Sequence, residues 1–409
     1  MRLGDEAEAM RRGEMGAARR WAVEHQIRVG GYLGARDLIA VRQAHIVADS
    51  ESLGEAGVVL LERLAAMPET ERLVRIPTIT DPRGTDFGAA ARLRQQDWIV
   101  ALERRTCNAF AALGILMTDT CINYQTIMPP VRGEHMAYGD TGVAIYCNSV
   151  FGARSNFEGG PSALAAGLTG FTPRYGYHLD ECRRGSLLIE AAWTPGALHE
   201  WGAFGGVVGR LAGDYWRVPV IRGLDRVPGS DELKHFGAAM ASFGSVAMFH
   251  IEGVTPEAAN AFDAAPPAPI TVGRADTAAL LGEYAGGGDA VDVVVFSSPQ
   301  LSLLELRMLA ERLDGRRATV PLLAITSPQV KPDADRMGLT ARIEASGAML
   351  LSGMCFYQSY ARELAEANGW KRLATNSAKL TNILGGYGYA PVLLSMDQCI
   401  DAACSGHFR

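Results

Sequence analysis

The chain has little histidine, eight among 409 residues, and no strong charge of one sign, since 39 basic against 45 acidic residues leave a formal charge of −6. That balance offers no basic footprint for nucleic acid or an anionic membrane surface. No apolar run approaches the ~18 residues of a membrane span. The opening Met1-Arg2-Leu3-Gly4-Asp5-Glu6 is acidic, whereas a secretory leader needs a basic and then an apolar stretch. Cys-x-x-Cys pairs are missing, and the seven cysteines are odd in number and irregular in spacing. This excludes a regular disulfide framework and points to a reducing, cytoplasmic setting. No repeat recurs at solenoid periods. What remains is ordinary globular composition, 48% hydrophobic and 21% charged. At ~150 residues per domain the length suits two or three domains.

Residues 4–28 are rich in Ala, Glu, Arg and Met without proline, and read as a helix that Gly30-Gly31 breaks. Leu60, Leu61 and Leu64 share a helical face within 52–66, as do Ile99, Leu102 and Phe110 within 92–113. Residues 1–140 are therefore expected to form a mainly helical region packing on the core. The apolar, β-branched run 142–150 reads as a buried strand feeding the glycine-rich loop 152–160, after which Pro161 opens a helix. Residues 243–254 read as another strand, so 141–270 is expected to be an α/β region. Junctions are expected at 265–269 and 286–288. Beyond them, strands at 291–296, 320–325 and 348–351 alternate with helices at 301–313 and 333–345. That alternation means βαβ units and a parallel sheet over 271–409. The fold class is α/β.

Ligands of open parallel sheets bind beyond the carboxyl ends of strands. This selects Ser297 and Ser298, Thr326 and Ser327, and 352–355. The loop 152–160 lets backbone approach a ligand, and the following helix offers free N–H groups to an anion. Within it, Arg154 supplies a bidentate fork, Ser155 and Asn156 supply hydrogen-bonding groups, and Glu158 a candidate acid or base. In Thr375-Asn-Ser-Ala-Lys379, Ser377 and Lys379 read either as a base with electrostatic support or as a helix cap followed by a surface lysine. His45 and His135 are the histidines placed near these segments. Cys107, Cys147 and Cys182 read as buried thiols.

Together these segments resemble the aconitase X family, in its large catalytic subunit. The strongest piece is Asn148-Ser-Val-Phe-Gly-Ala-Arg-Ser-Asn-Phe-Glu-Gly-Gly-Pro-Ser-Ala-Leu-Ala-Ala166. Ala44-His-Ile46, Gly133-Glu-His135, Tyr175-Gly-Tyr-His178 and Thr375-Asn-Ser-Ala-Lys379 match in the same order, and the likeness runs from about residue 3 to about residue 404. The resemblance implies an aconitase-like multi-domain core and a hydro-lyase acting on a small hydroxy-carboxylate, such as cis-3-hydroxy-L-proline or, in archaea, 5-phosphomevalonate. Arg154, Ser155, Asn156, His45 and Ser298 would hold the substrate, and Ser377, Lys379, Glu158 and His135 would carry the chemistry. The family's small swivelling domain has no counterpart in this chain, whose first residues match the start of the large subunit, so a small partner subunit is expected.

The resemblance also implies iron or an iron–sulfur cluster, and here the chain departs from the family. Asp119 stands for the first cysteine of a Thr-Cys-Thr-Cys motif. Ser298 and Gln300 stand in a Gly-Cys-Pro-His motif, and Met354 interrupts the context of Cys355. Cys121 and Cys355 remain as thiolate ligands, with Asp119 as a third donor to a single iron. The alternative is a repurposed, metal-free homologue acting as isomerase, cyclase or other lyase in a specialised pathway.

Overall fold

Val293, Val294, Val295 and Phe296 are all fully buried, and a run without a polar face belongs in a sheet covered on both sides. In the computed structural model, which describes residues 1–408, this run begins the central strand of a five-stranded parallel sheet. Its order is Met349–Ser352, Leu322–Thr326, Val293–Leu301, Arg372–Thr375, Ala390–Leu393. Side chains alternate between faces: Val294 and Phe296 pack with Leu306, Leu309 and Ile400, while Val293 and Val295 pack with Leu364, Leu380 and Leu384.

A second parallel sheet runs His250–Ile251, Pro219–Arg222, Leu187–Ala191, Ile270–Val272. The helices Leu198–Ala212 and Ser230–Gly244 associated with this unit touch backbone to backbone. A Cβ on Gly205 would lie 2.1 Å from the Phe236 carbonyl oxygen, and one on Gly244 would lie 2.0 Å from that of Gly209. No side chain can swing away to relieve such a contact. Gly205→Ala is therefore expected to cost about 1–3 kcal/mol or more through overpacking, read as a lower midpoint in thermal or urea unfolding. An unchanged midpoint would refute the tight seam.

The third sheet, Thr78–Thr80, Ala44–Ile46, Ala137–Tyr138, is parallel and short. Around it pack the helices Ala17–Tyr32, Ser50–Ala65, Asp97–Ala112 and Gly159–Thr169, through a core that includes Ile46, Leu61, Leu64, Phe110 and Leu164. An antiparallel ribbon pairs Leu38–Ala40 with Phe171–Pro173. The three parallel sheets thus draw their strands from 44–138, 187–272 and 293–393. Among the described residues, no helix is long and apolar enough to cross a membrane.

The structure corrects several local expectations. The run 142–150 is not a strand: it forms the helix Thr141–Tyr146 continuing into a wider π turn, Cys147–Phe151. A short apolar run serves either element, and here the Asp140 carboxylate decides by capping the Val143 N–H at 2.9 Å. The turn ends at Gly152, whose φ of 66° suits glycine. Residues 4–28 form two helices, Asp5–Arg11 and Ala17–Tyr32, and Gly30-Gly31 lies inside the second. Of 243–254, only His250–Ile251 is strand, because Phe243 and Gly244 still belong to the preceding helix. Residues 333–345 divide into Lys331–Arg336 and Leu339–Ala345, separated at Gly338.

Candidate active site

Three neighbouring parallel strands end on the same side of the third sheet. The strand Ala44–Ile46 carries His45, Thr78–Thr80 leads into Asp81, and Ala137–Tyr138 leads into Asp140. Carboxyl ends of parallel strands are where such sheets bind ligands. Lys379 arrives from the five-stranded sheet, on the helix Ala378–Leu384 that follows Arg372–Thr375. Its Nζ lies 3.2 Å from Asp140 Oδ2, with both side chains 6% exposed, and 5.6 Å from the centre of the Tyr357 ring. His45 Nε2 lies 2.8 Å from the Thr120 carbonyl oxygen and 3.6 Å from Asp81 Oδ1. The Gln358 amide donates to both Asp49 Oδ2, at 3.0 Å, and Asp81 Oδ2, at 3.2 Å.

Burial opposes charge on every member of this group, and the neighbours decide which ones keep it. For Asp140, burial is outweighed by the Lys379 ammonium and the Val143 N–H, and its carboxyl sits below the usual range. Lys379 is raised: burial works against its charge, but Asp140, followed by Cys121, Cys355 and Asp81, together outweigh burial. Asp81 goes the other way: burial, then the Asp140 charge, push it well above the usual carboxylate range. Burial lowers His45 and leaves a neutral ring. Its Nδ1, Asp81 Oδ1 and the amide nitrogen of Asn376, next to Ser377, are buried without partners. Buried polar atoms are normally paired, so these are groups with bonding capacity left for a ligand.

Asp49 is pushed up to about 7, mainly by burial, against the hydrogen bonds it accepts from Ser52. An acid whose folded pKa is raised holds its proton longer folded than unfolded. Stability therefore falls as pH rises from about 4 to about 7, and stays reduced above that. Asp49→Asn keeps the cap and removes the titration. Its melting temperature is expected to drop less than that of the unsubstituted chain between pH 5 and pH 8. Equal drops would show that Asp49 is not the group responsible.

Ser377 is a helix cap, as one reading of the sequence has it: its hydroxyl accepts the Leu380 N–H at 3.1 Å and donates to the Ser298 carbonyl at 2.5 Å. Lys379, however, is no surface lysine. Ser298 Oγ lies 3.0 Å from Cys355 Sγ, and Cys121 Sγ accepts the Gln300 N–H at 3.4 Å. Burial drives Cys121 well above the ordinary thiol range and Cys355 up to about 12. The Asp119 carboxylate is occupied elsewhere, by Arg83 Nε at 3.1 Å and Thr80 Oγ1 at 3.0 Å. Among the described residues no three His, Cys, Asp or Glu side chains converge as metal ligands. Two thiols and a hydroxyl fall short of the three or four thiolates of a cluster. The donor set does not fit an iron–sulfur centre, and no chemical step is routed through one.

The glycine-rich loop forms a separate group. Parallel bridges join His135 to Arg154 and Tyr138 to Phe157, which ties the loop to the third sheet. Ser155 Oγ accepts the Tyr138 N–H at 2.9 Å, and the Asn156 side chain holds the Tyr175 carbonyl, the Tyr177 N–H and the Tyr215 hydroxyl. Glu158 accepts from Thr172 Oγ1 at 2.9 Å and lies 3.8 Å from His178 Nε2. The His135 and His178 rings stack with their Nδ1 atoms 2.9 Å apart, and burial lowers His135 to about 4. Arg154 pairs with Asp180, donates to the His178 carbonyl at 3.1 Å, and lines a cleft of ≈ 200 Å³ with Arg132, Arg183 and Arg184. The sequence reading gathers Arg154 and Lys379 around one substrate. In the structure their hydrogen-bond and ion-pair partners do not overlap.

The sequence reading also misses Asp49, Asp81, Asp140, Tyr357 and Gln358. The one signal available is Asp140 in Asp140-Thr-Gly, a capping acid before a short apolar run.

A carboxyl raised by burial beside another held low by a buried ammonium, at the carboxyl ends of parallel strands, is the kind of pair that acid–base enzymes use, here in a multi-domain α/β architecture. Family models described as Aconitase X first, second and third domains match residues 1–181, 185–282 and 291–405, one parallel sheet to each. The chain belongs to the aconitase X family. It is 33% identical over 395 residues to the phosphomevalonate dehydratase large subunit of Methanothermobacter thermautotrophicus, covering 96% of this chain and 95% of that one. It is 33% identical over 413 residues to the cis-3-hydroxy-L-proline dehydratase of Pseudomonas aeruginosa, covering 98% of this chain and 69% of that one. The crystal structure of Thermococcus kodakaraensis aconitase X in its holo-form matches with a TM-score of 0.89 at 29% identity, over 98% of this chain and 100% of that one. The fold and family implied by the sequence motifs are thus confirmed, and these relatives are hydro-lyases.

Proposed function

We propose that this chain is the large subunit of a cytoplasmic hydro-lyase that removes water from a small hydroxy-carboxylate, with cis-3-hydroxy-L-proline as the first candidate. The observation that carries the reading is the buried Lys379–Asp140 pair beside Asp81, whose carboxyl burial and the Asp140 charge push up. Dehydration breaks a C–H bond next to the carboxylate and a C–O bond one carbon away, and forms a double bond between those carbons. Asp140, held ionised, accepts the proton from carbon. Asp81 gives its proton to the departing hydroxyl, which leaves as water. The Lys379 ammonium balances the charge that develops on the substrate carboxylate. His45 and Gln358 fix the Asp81 carboxyl, and Ser377 fixes the start of the helix bearing Lys379. Arg154, Ser155, Asn156, Glu158 and His135 shape the neighbouring wall and do not carry the proton transfers.

Relatives named as large subunits support a small swivelling partner subunit for this chain. A second reading, a repurposed isomerase, cyclase or other lyase, is favoured by Ser298 and Gln300 occupying the thiols. The test is to mix the chain with its small subunit and follow cis-3-hydroxy-L-proline and 5-phosphomevalonate by NMR. Loss of one water from either supports the first reading. If neither these nor other small hydroxy-carboxylates lose water, it fails and the second reading stands.

A further inference from the structure

The corner where family resemblance places iron is crowded with hydrogen bonds, and Gln300 is at its centre. Its side-chain NH2 donates to the Asp119 carbonyl at 3.1 Å and the Met354 carbonyl at 3.3 Å. Its side-chain oxygen accepts the Cys121 N–H at 3.3 Å, and its own N–H points to Cys121 Sγ. Its carbonyl accepts from Lys234 Nζ at 3.1 Å. Asp119 and Cys121 belong to the first matched segment, Lys234 to the second, and Gln300 and Met354 to the third. One fully buried residue therefore bonds to all three. Beside it, Ser298 Oγ takes up Cys355 Sγ, and Ser297 Oγ accepts the Phe356 N–H at 3.3 Å.

We propose that this corner is closed by protein alone: Gln300 and Ser298 engage the two remaining thiols and join the three segments where relatives of the iron-bearing type would use a metal centre. An amide donates two hydrogen bonds and accepts two, and Gln300 has both donors in use and one acceptor bond made. A serine hydroxyl beside Cys355 completes that thiol's contacts without supplying the third thiolate a cluster needs. The inference concerns this chain's own donors and does not depend on which substrate is dehydrated.

The experiment uses the full chain, purified anaerobically and then incubated with ferrous iron, sulfide and a thiol reductant. Iron and acid-labile sulfide per chain and the visible spectrum are recorded before and after. The expected result is no retained iron after desalting and no iron–sulfur absorption. Stoichiometric iron with sulfide would overturn the proposal, whatever the activity. Ser298→Cys changes one atom and supplies a third sulfur beside Cys355, so it is expected to gain an iron–sulfur chromophore under the same treatment. A folded Ser298→Cys that takes up none would overturn the assignment of Ser298 as the missing donor. Gln300→Ala, still without iron, is expected to melt several degrees lower because it strands the Asp119 and Met354 carbonyls. A melting temperature equal to that of the unsubstituted chain would overturn the joint.

Discussion

Lys379→Met is expected to lower kcat by at least about 10²–10³-fold, the usual effect of removing a group that faces developing charge. Methionine fills much of the same space but lacks the ammonium and the hydrogen bond it donates to Asp140. The change acts on stability as well. Asp140 would be left as a buried carboxylate without its cation, and breaking a buried pair on one side costs about 3–5 kcal/mol. Asp140 would respond by holding a proton, so its folded pKa moves from below to above the unfolded value. The single variant should then be more stable at pH 5 than at pH 8, because stability from a raised carboxyl is lost as pH rises. Lys379→Met with Asp140→Asn leaves no charge to strand, and is expected to recover most of the stability and none of the turnover. Activity in either variant within tenfold of the unsubstituted enzyme would remove Lys379 from the chemistry.

The largest effect on stability alone is expected at Lys234. It is buried on the helix Ser230–Gly244, pairs with Glu305 and lies 3.1 Å from Asp231 Oδ1. His235 Nε2 holds the other Glu305 oxygen at 2.8 Å. Burial works against ionised Glu305, but Lys234 and His235 prevail and hold it down to about 2. A depressed carboxyl contributes stability above its unfolded pKa and loses it as pH falls toward the folded value, which here means acid loss between about 4.5 and 2. Lys234→Met is expected to cost about 3–5 kcal/mol at neutral pH, since it leaves buried Glu305 with His235 as its one basic partner and takes the cation from Asp231. The double change Lys234→Met, Glu305→Leu is expected to be milder, because a matched apolar pair of similar volume replaces ions that were costly to desolvate. Urea denaturation of the three proteins measures this directly. A loss below about 1 kcal/mol in the single variant would show that the pair only breaks even.

Much of the third segment is legible in the sequence because its strands are fully buried. Val293 to Phe296 and Leu322 to Thr326 have no polar face to confuse the pattern. The run 142–150 is misread for the complementary reason: it is equally apolar, and helix or strand is decided by a capping bond from the residue before it. The site is harder to read. Lys379 stands out from its motif, but its partners Asp140 and Asp81 lie more than two hundred residues away as isolated acids. Nothing local marks an acid that will be buried. The motif that holds Arg154 does not show its partners: it pairs with Asp180, while Ser155 and Asn156 spend their hydrogen bonds on neighbouring chain.

The bonding of Gln300 limits which sequences are reachable from this one by single steps. Replacing it alone strands two buried carbonyls, and replacing Ser298 alone removes the hydroxyl that now sits against Cys355. Asp119→Cys alone takes from Arg83 the carboxylate it now pairs with. Single changes at Gln300 or Asp119 thus lose partners that a combined change can replace, as expected when residues share partners and their effects do not add. A lineage with this arrangement would therefore be expected to find Gln300 and Asp119 harder to replace one at a time than the residues around them.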